Sequence, residues 1–168
     1  MEMTFRGKVW VFGDDISTDH IIAGRYLGST DVKVFAEHAM EAVDPDFARK
    51  VKPGDLLVGG ANFGCGSSRE QAPLALKALG IQAILAESFA RIFYRNSINI
   101  GFPVVECPGI HGKVKEGDTV TMDLAAGTVA LSSGENLRFS ALPDHIQGIL
   151  RAGGLVPKLR AELGKGSS

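Results

Sequence analysis

The run Gly60-Ala61-Asn62-Phe63-Gly64-Cys65-Gly66-Ser67-Ser68-Arg69-Glu70-Gln71-Ala72 brings a thiol, two hydroxyls and a guanidinium together among glycines. Three uses fit these residue types: a nucleophile site, an anion cradle, or a tight turn ahead of a helix. Glycines let a backbone approach a ligand closely. The first N–H groups of a helix lack partners and sit at the positive end of its dipole, so anions bind there. Arg69 adds a fork of donors matched to a carboxylate. The same residues also spell a capping box, with Ser67 as the cap and Glu70 reaching back. The two readings are compatible, since Ser68 or the arginine can serve a ligand while another group caps.

Several motifs are excluded. A phosphate-binding P-loop needs Gly-Lys-Ser/Thr, and here Ser67-Ser68 follows Gly66. A nucleophile elbow needs a glycine two residues after its serine, and neither Ser67 nor Ser68 has one. The dinucleotide fingerprint fails because Arg69 stands where its last glycine belongs. Cys65 has the setting of an activated thiolate but no histidine near it in sequence, which favours a small loop-lining residue over a nucleophile.

The elements that position this run alternate. Lys8–Phe12 reads as a strand, stopped by Gly13-Asp14-Asp15. Residues 14–30 are largely polar and too long for an ordinary connection, a mark of functional loops. Thr30 or Asp31 caps a helix through Val34, Phe35, His38 and Ala39. Leu56–Gly60 is a short apolar strand. Glu70–Leu79 is a helix ended by Gly80, with an irregular first turn imposed by Pro73. Ile81–Ala86 is a strand, Ser88–Asn96 a helix and Phe102–Glu106 a strand. That order predicts a parallel α/β centre with right-handed crossovers. Residues 118–136 alternate and turn as a small antiparallel meander, and Asp144–Ala152 forms a last helix. One domain spans residues 1–163, and 164–168 form a flexible tail.

Composition bounds the function. With 168 residues, 45% of them hydrophobic, the chain supports one domain with a substantial core. Lys and Arg total 18 against 19 Asp and Glu, a net charge of -1, which argues against nucleic-acid or anionic-membrane binding. No apolar run approaches the roughly eighteen residues of a membrane span. The N-terminus lacks a signal-peptide core, so a reduced, cytoplasmic setting is expected. Two cysteines make neither a disulfide framework nor a stand-alone zinc site, and an iron–sulfur cluster would have to come from a partner.

Two further stretches matter: Gly13-Asp14-Asp15-Ile16-Ser17-Thr18-Asp19-His20-Ile21-Ile22, and Ala86-Glu87-Ser88-Phe89-Ala90-Arg91-Ile92-Phe93-Tyr94-Arg95-Asn96. Together with the serine run, they make the chain resemble the small subunits of the aconitase superfamily over nearly its whole length. More narrowly, it resembles those of 3-isopropylmalate dehydratases and homoaconitases. The resemblance implies a swivelling β/β/α domain, a separate chain that closes over a large subunit in a heterodimer or heterotetramer. That partner would carry a [4Fe–4S] cluster as Lewis acid, with no cofactor or metal on this chain. The implied reaction is dehydration to an enoate and rehydration on the neighbouring carbon, interconverting 2- and 3-isopropylmalate in leucine biosynthesis. Ser67 resembles the catalytic base, and Gly66, Ser68 and Arg69 the groups around a substrate carboxylate. A helix N-terminus and Arg69 suit a serine alkoxide, which is otherwise a poor resident at neutral pH.

Asp19 and His20 match a motif at the edge of that family's active site, though turn chemistry and a local hydrogen bond explain them as simply. His38, His111 and His145 carry no assignment. Arg91 and Arg95, at i and i+4, point the same way and support the sheet or the subunit interface. Arg25, Gly28, Ser29 and Thr30 fall where the family places its specificity loop. Homoaconitase-like members have an arginine directly after Tyr-Leu; here that position is Gly28. A buried carboxylate without a cation is costly, so a third acidic arm is disfavoured and a small neutral branch is easier. Arg25 nearby weakens that exclusion. Homoaconitate, citramalate and 2,3-dimethylmalate are the alternative substrates of the same class. A non-catalytic carboxylate-binding module and a stand-alone cysteine enzyme are the alternatives outside it.

Overall fold

A computed structural model describes residues 3–166. Its strands are β1 (Thr4–Val11), β2 (Leu56–Gly59), β3 (Ile84–Ala86), β4 (Val104–Glu106), β5 (Thr119–Asp123), β6 (Thr128–Leu131) and β7 (Asn136–Arg138). They form one sheet in the order β4-β3-β2-β1-β5-β6-β7. β1 to β4 run parallel, while β5, β6 and β7 pair antiparallel. β1 joins the halves, pairing β2 from Val9 opposite Leu56 and β5 from Thr4 opposite Asp123. The sequence accounts for the difference. β2 and β3 are apolar throughout and wholly buried, as parallel strands covered on both faces must be. β5 alternates, burying Val120 and Met122 while Thr119 and Thr121 stay half-exposed.

The helices are α1 (Thr18–Ile21), α2 (Val32–Glu37), α3 (Phe47–Lys50), α4 (Gln71–Leu79), α5 (Arg91–Asn99), α6 (Ile110–Lys113), α7 (Asp144–Ala152) and α8 (Leu155–Gly166). α2 packs on α4, α4 on α5 and α5 on α7, while α6 touches β2 and β3. Gly80 ends α4 in the left-handed conformation, as its position predicts.

Two expectations need correction. Residues 14–30 are not a bare loop: they hold α1 and a single 3-10 turn at Gly24–Tyr26, because Ile16, Ile21 and Ile22 are buried. The helix expected from Ser88 begins only at Arg91, because residues 88–90 stay extended to pair with Phe63. α8 carries the chain through Gly166, and the Lys158–Glu162 pair supports it at 2.7 Å. Ser167 and Ser168 lie outside the described residues.

Candidate active site

The loops leaving the C-terminal ends of β1, β2 and β3 are laced side by side. Gly64 N–H donates to the Ile16 carbonyl at 2.7 Å, and Thr18 N–H to the Cys65 carbonyl at 2.9 Å. Phe63 N–H donates to the Ser88 carbonyl at 3.0 Å, and Ala90 N–H to the Phe63 carbonyl at 2.9 Å. The serine loop is therefore the middle of three extended segments. Ligands of parallel α/β sheets lie beyond this end of the strands. Gly64 is needed for it: φ is +84°, and a Cβ would sit 2.2 Å from Cγ of Phe93. That contact brings the start of α5 against the serine loop.

The capping box expected at Ser67–Glu70 does not form. α4 starts at Gln71, Glu70 occupies its cap position, and no side chain caps it. Pro73 explains the late start. With Ser67 as cap, Pro73 would lie past the first turn, where it lacks a needed N–H and clashes with the preceding turn. From Gln71 it falls within the first turn. The reciprocal box is made instead by Ser17 and His20: Ser17 N–H donates to His20 Nδ1 at 2.9 Å, and His20 N–H to Ser17 Oγ at 3.2 Å.

Freed from capping, Ser67 and Ser68 are exposed, and their hydroxyls have no partner among the described residues. Ser67 is held by its backbone alone: its carbonyl accepts from Thr18 Oγ1 at 2.8 Å, and Thr18 is 3% exposed. Among the described residues, the backbone N–H groups of 66–70 find no acceptor. Gly66, at φ +93°, lies in this run. Consecutive free amides beside two hydroxyls form a concavity suited to an anion.

Arg69 is largely buried and anchored. Nη1 donates to the Ile22 carbonyl at 3.0 Å, and Nη2 pairs with the exposed carboxylate of Asp19. These bonds tie α1 to the serine loop. A cavity of about 220 Å³ opens here, lined by Thr18, Gly66, Ser67, Ser68, Arg69 and, from α5, Arg91 among others. Arg25, Gly28, Ser29 and Thr30 do not line it. Arg25 pairs with Glu41 at 2.9 Å and lies 4.9 Å over the Tyr26 ring. His38 and Arg25 hold the Glu41 carboxyl below its ordinary range, the His38 hydrogen bond contributing most. Ser29 Oγ accepts from Asp31 N–H at 3.0 Å, Thr30 is exposed, and a Cβ at Gly28 would meet nothing within 4 Å. His20, too, is exposed at the edge, outside the cavity.

Residues 17–108 match the aconitase C-terminal domain. The chain belongs to that family. Within it, similar relatives cover almost everything. The "3-isopropylmalate dehydratase small subunit 1" of Methanopyrus kandleri is 52% identical over 96% of each chain. The "isopropylmalate/citramalate isomerase small subunit" of Methanocaldococcus jannaschii is 51% identical over 97% of this chain and 98% of its own. A crystal structure of a 3-isopropylmalate dehydratase from Methanocaldococcus jannaschii superposes with a TM-score of 0.93, at 43% identity over 98% of both chains. The seven-stranded mixed sheet is thus the fold of the aconitase C-terminal family.

Two features of this aconitase-family chain bear on cofactors. No three His, Cys, Asp or Glu side chains come together in a metal-holding group among the described residues. Cys107 is fully buried, and burial, with Glu87 adding to it, pushes its thiol up to about 11. These residues do not fit a cluster held within the chain. No described helix is long and apolar enough to cross a membrane. Arg91 is the charged lining residue that sequence reasoning left outside the site. Its i, i+4 spacing with Arg95 gave a direction but not a neighbour, because the contact depends on Gly64 admitting Phe93.

Proposed function

We propose that this chain is the small subunit of a heteromeric hydro-lyase that interconverts 2-isopropylmalate and 3-isopropylmalate by dehydration and rehydration. One observation carries the reading: a serine loop freed from capping presents two unengaged hydroxyls and a run of unpaired amides beside an anchored arginine. Ser67 takes the proton from the carbon next to a carboxylate. The free amides and the cationic surroundings stabilise its alkoxide and the charge developing on the substrate. Ser68, Gly66 and Arg69 hold the carboxylate. Arg69 spends one donor on Ile22 and one on Asp19, and a guanidinium has about five, so it binds from a fixed position. His20 and Asp19 border this site.

The partner is a large iron–sulfur subunit whose [4Fe–4S] cluster supplies Lewis acidity when the two chains assemble in the cytoplasm. The residues around Arg25, Gly28, Ser29 and Thr30 face the substrate's branch once the partner closes the site. Arg25 is already engaged by Glu41 and Tyr26, and Gly28 offers no charge. A third carboxylate finds no free cation there, which favours a neutral branch. Citramalate is the second reading, since one relative's name carries both acids.

The test is anaerobic turnover of the chain co-expressed with its large subunit, followed by enoate absorbance. The panel is 3-isopropylmalate, citramalate, 2,3-dimethylmalate, homocitrate and citrate. Activity only in the pair, highest with isopropylmalate and abolished by Ser67→Ala with assembly intact, is the expected result. No turnover by a formed, cluster-loaded complex overturns the proposal in favour of a carboxylate-binding module. Activity of this chain alone, lost on thiol alkylation, would point to Cys65.

A further inference from the structure

Arg91 stands at the first position of α5 with its guanidinium free. No hydrogen bond or ion pair reaches it among the described residues. A cation there opposes the helix dipole and gains no local partner in return. Yet it lines the 220 Å³ cavity with Ser67 and Ser68 and also borders a second, larger one of about 510 Å³. The second cavity has Phe89, Val105 and Leu142 in its wall beside Glu106, whose Oε1 accepts from Phe89 N–H at 3.2 Å and which makes no ion pair with Arg91 among the described residues. Arg91 therefore stands between the two cavities.

The charge balance of the smaller cavity singles it out. Its lining contains two cations, Arg69 and Arg91. Arg69 is already paired with Asp19, and Arg25 is paired with Glu41 outside the cavity. Of the two cations in that lining, Arg91 is the one without an ion-pair partner among the described residues. A free guanidinium that shares a cavity lining with two free hydroxyls and a row of free amides can take a carboxylate bidentately.

We infer that Arg91 binds a carboxylate of the substrate, together with Ser68 and the free amides, and adds an unpaired positive charge to that of Arg69, which is shared with Asp19. This rests on the hydro-lyase reading above. Arg69 then acts as the fixed anchor of the site, and Arg91 as its charge complement.

The experiment uses the assembled, cluster-loaded enzyme with wild-type chain, Arg91→Ala, Arg91→Gln and Arg91→Lys. Steady-state kinetics with the preferred acid are measured beside complex formation by native mass spectrometry. A lost charge-assisted contact lowers kcat/KM by about tenfold to a hundredfold, mostly through KM, and Lys recovers part of it. The expected result is that pattern with assembly unchanged in all variants. Values of kcat/KM within about twofold of wild type for Ala and Gln overturn the inference. So does a loss that tracks weakened assembly, which would make Arg91 a partner contact. Wild-type turnover and its dependence on Ser67 are recorded in the same series. If the wild-type pair is active and Ser67→Ala is dead while the Arg91 variants are normal, only this inference fails. If the wild-type pair turns over no acid, the functional reading fails first.

Discussion

Replacing Thr18 by valine tests whether Ser67 is positioned from below. Thr18 Oγ1 donates to the Ser67 carbonyl at 2.8 Å, and valine keeps the shape while removing that donor. The backbone bond from Thr18 N–H to the Cys65 carbonyl survives the change. One net hydrogen bond is worth about 1 kcal/mol, and the exposed Ser67 can rehydrate its carbonyl, which holds the cost near that figure. For a domain of this size that lowers Tm by about 2–4 °C. If the same energy is expressed when Ser67 takes its proton, kcat falls about fivefold. Thr18→Ser keeps the donor and loses a buried methyl, so it costs stability but retains kcat. Thermal unfolding and turnover of the assembled enzyme, measured for both variants, separate the terms. Normal kcat in Thr18→Val with impaired kcat in Thr18→Ser would refute the reasoning, since packing rather than the hydrogen bond would then govern Ser67.

Gly64→Ala places a Cβ 2.2 Å from Phe93 at a φ of +84°, and strain plus overpacking cost about 2–5 kcal/mol, read as a lower denaturant midpoint. Gly66→Ala meets nothing closer than 3.7 Å and costs only about 1 kcal/mol for its φ, so the two midpoints should differ clearly. Cys107, with its thiol raised from 9.0 to about 11, holds its proton more tightly folded than unfolded. Its contribution to stability is complete below pH 9 and disappears as pH rises to about 11. Cys107→Ala should flatten that part of the alkaline stability curve. At pH 8 a thiol reagent should label Cys65 in the native chain and Cys107 only after unfolding.

Local pattern and chain order carried much of this molecule. The alternation from Leu56 to Glu106 gave the parallel centre, the period of residues 118–131 gave the meander, and α7 runs over Asp144–Ala152 as read. What failed was what depends on distant partners. Ser67-Ser68-Arg69-Glu70 matches a capping box letter by letter, but Pro73 moves the helix start beyond it. The Ser17–Cys65 and Phe63–Phe89 bridges join segments far apart in the chain, so no window of sequence reveals them. Arg25 fell in the expected specificity loop, yet Glu41, sixteen residues on, claims its charge. The motifs located the serine loop, while the anchoring of Arg69 and the freedom of Arg91 emerge only from the packed fold.

The Arg69 anchor also divides the chain for loop exchange. Asp19 and the Ile22 carbonyl lie just before Gly24–Tyr26, and Asp31, which caps α2 through Lys33 N–H, lies just after Thr30. Both fixed points sit outside residues 24–30. A segment cut from another family member and spliced between Ala23 and Asp31 would inherit its seating from the host. On the proposed reading selectivity is then a transplantable module, and the proposed base, Ser67, stays with the recipient.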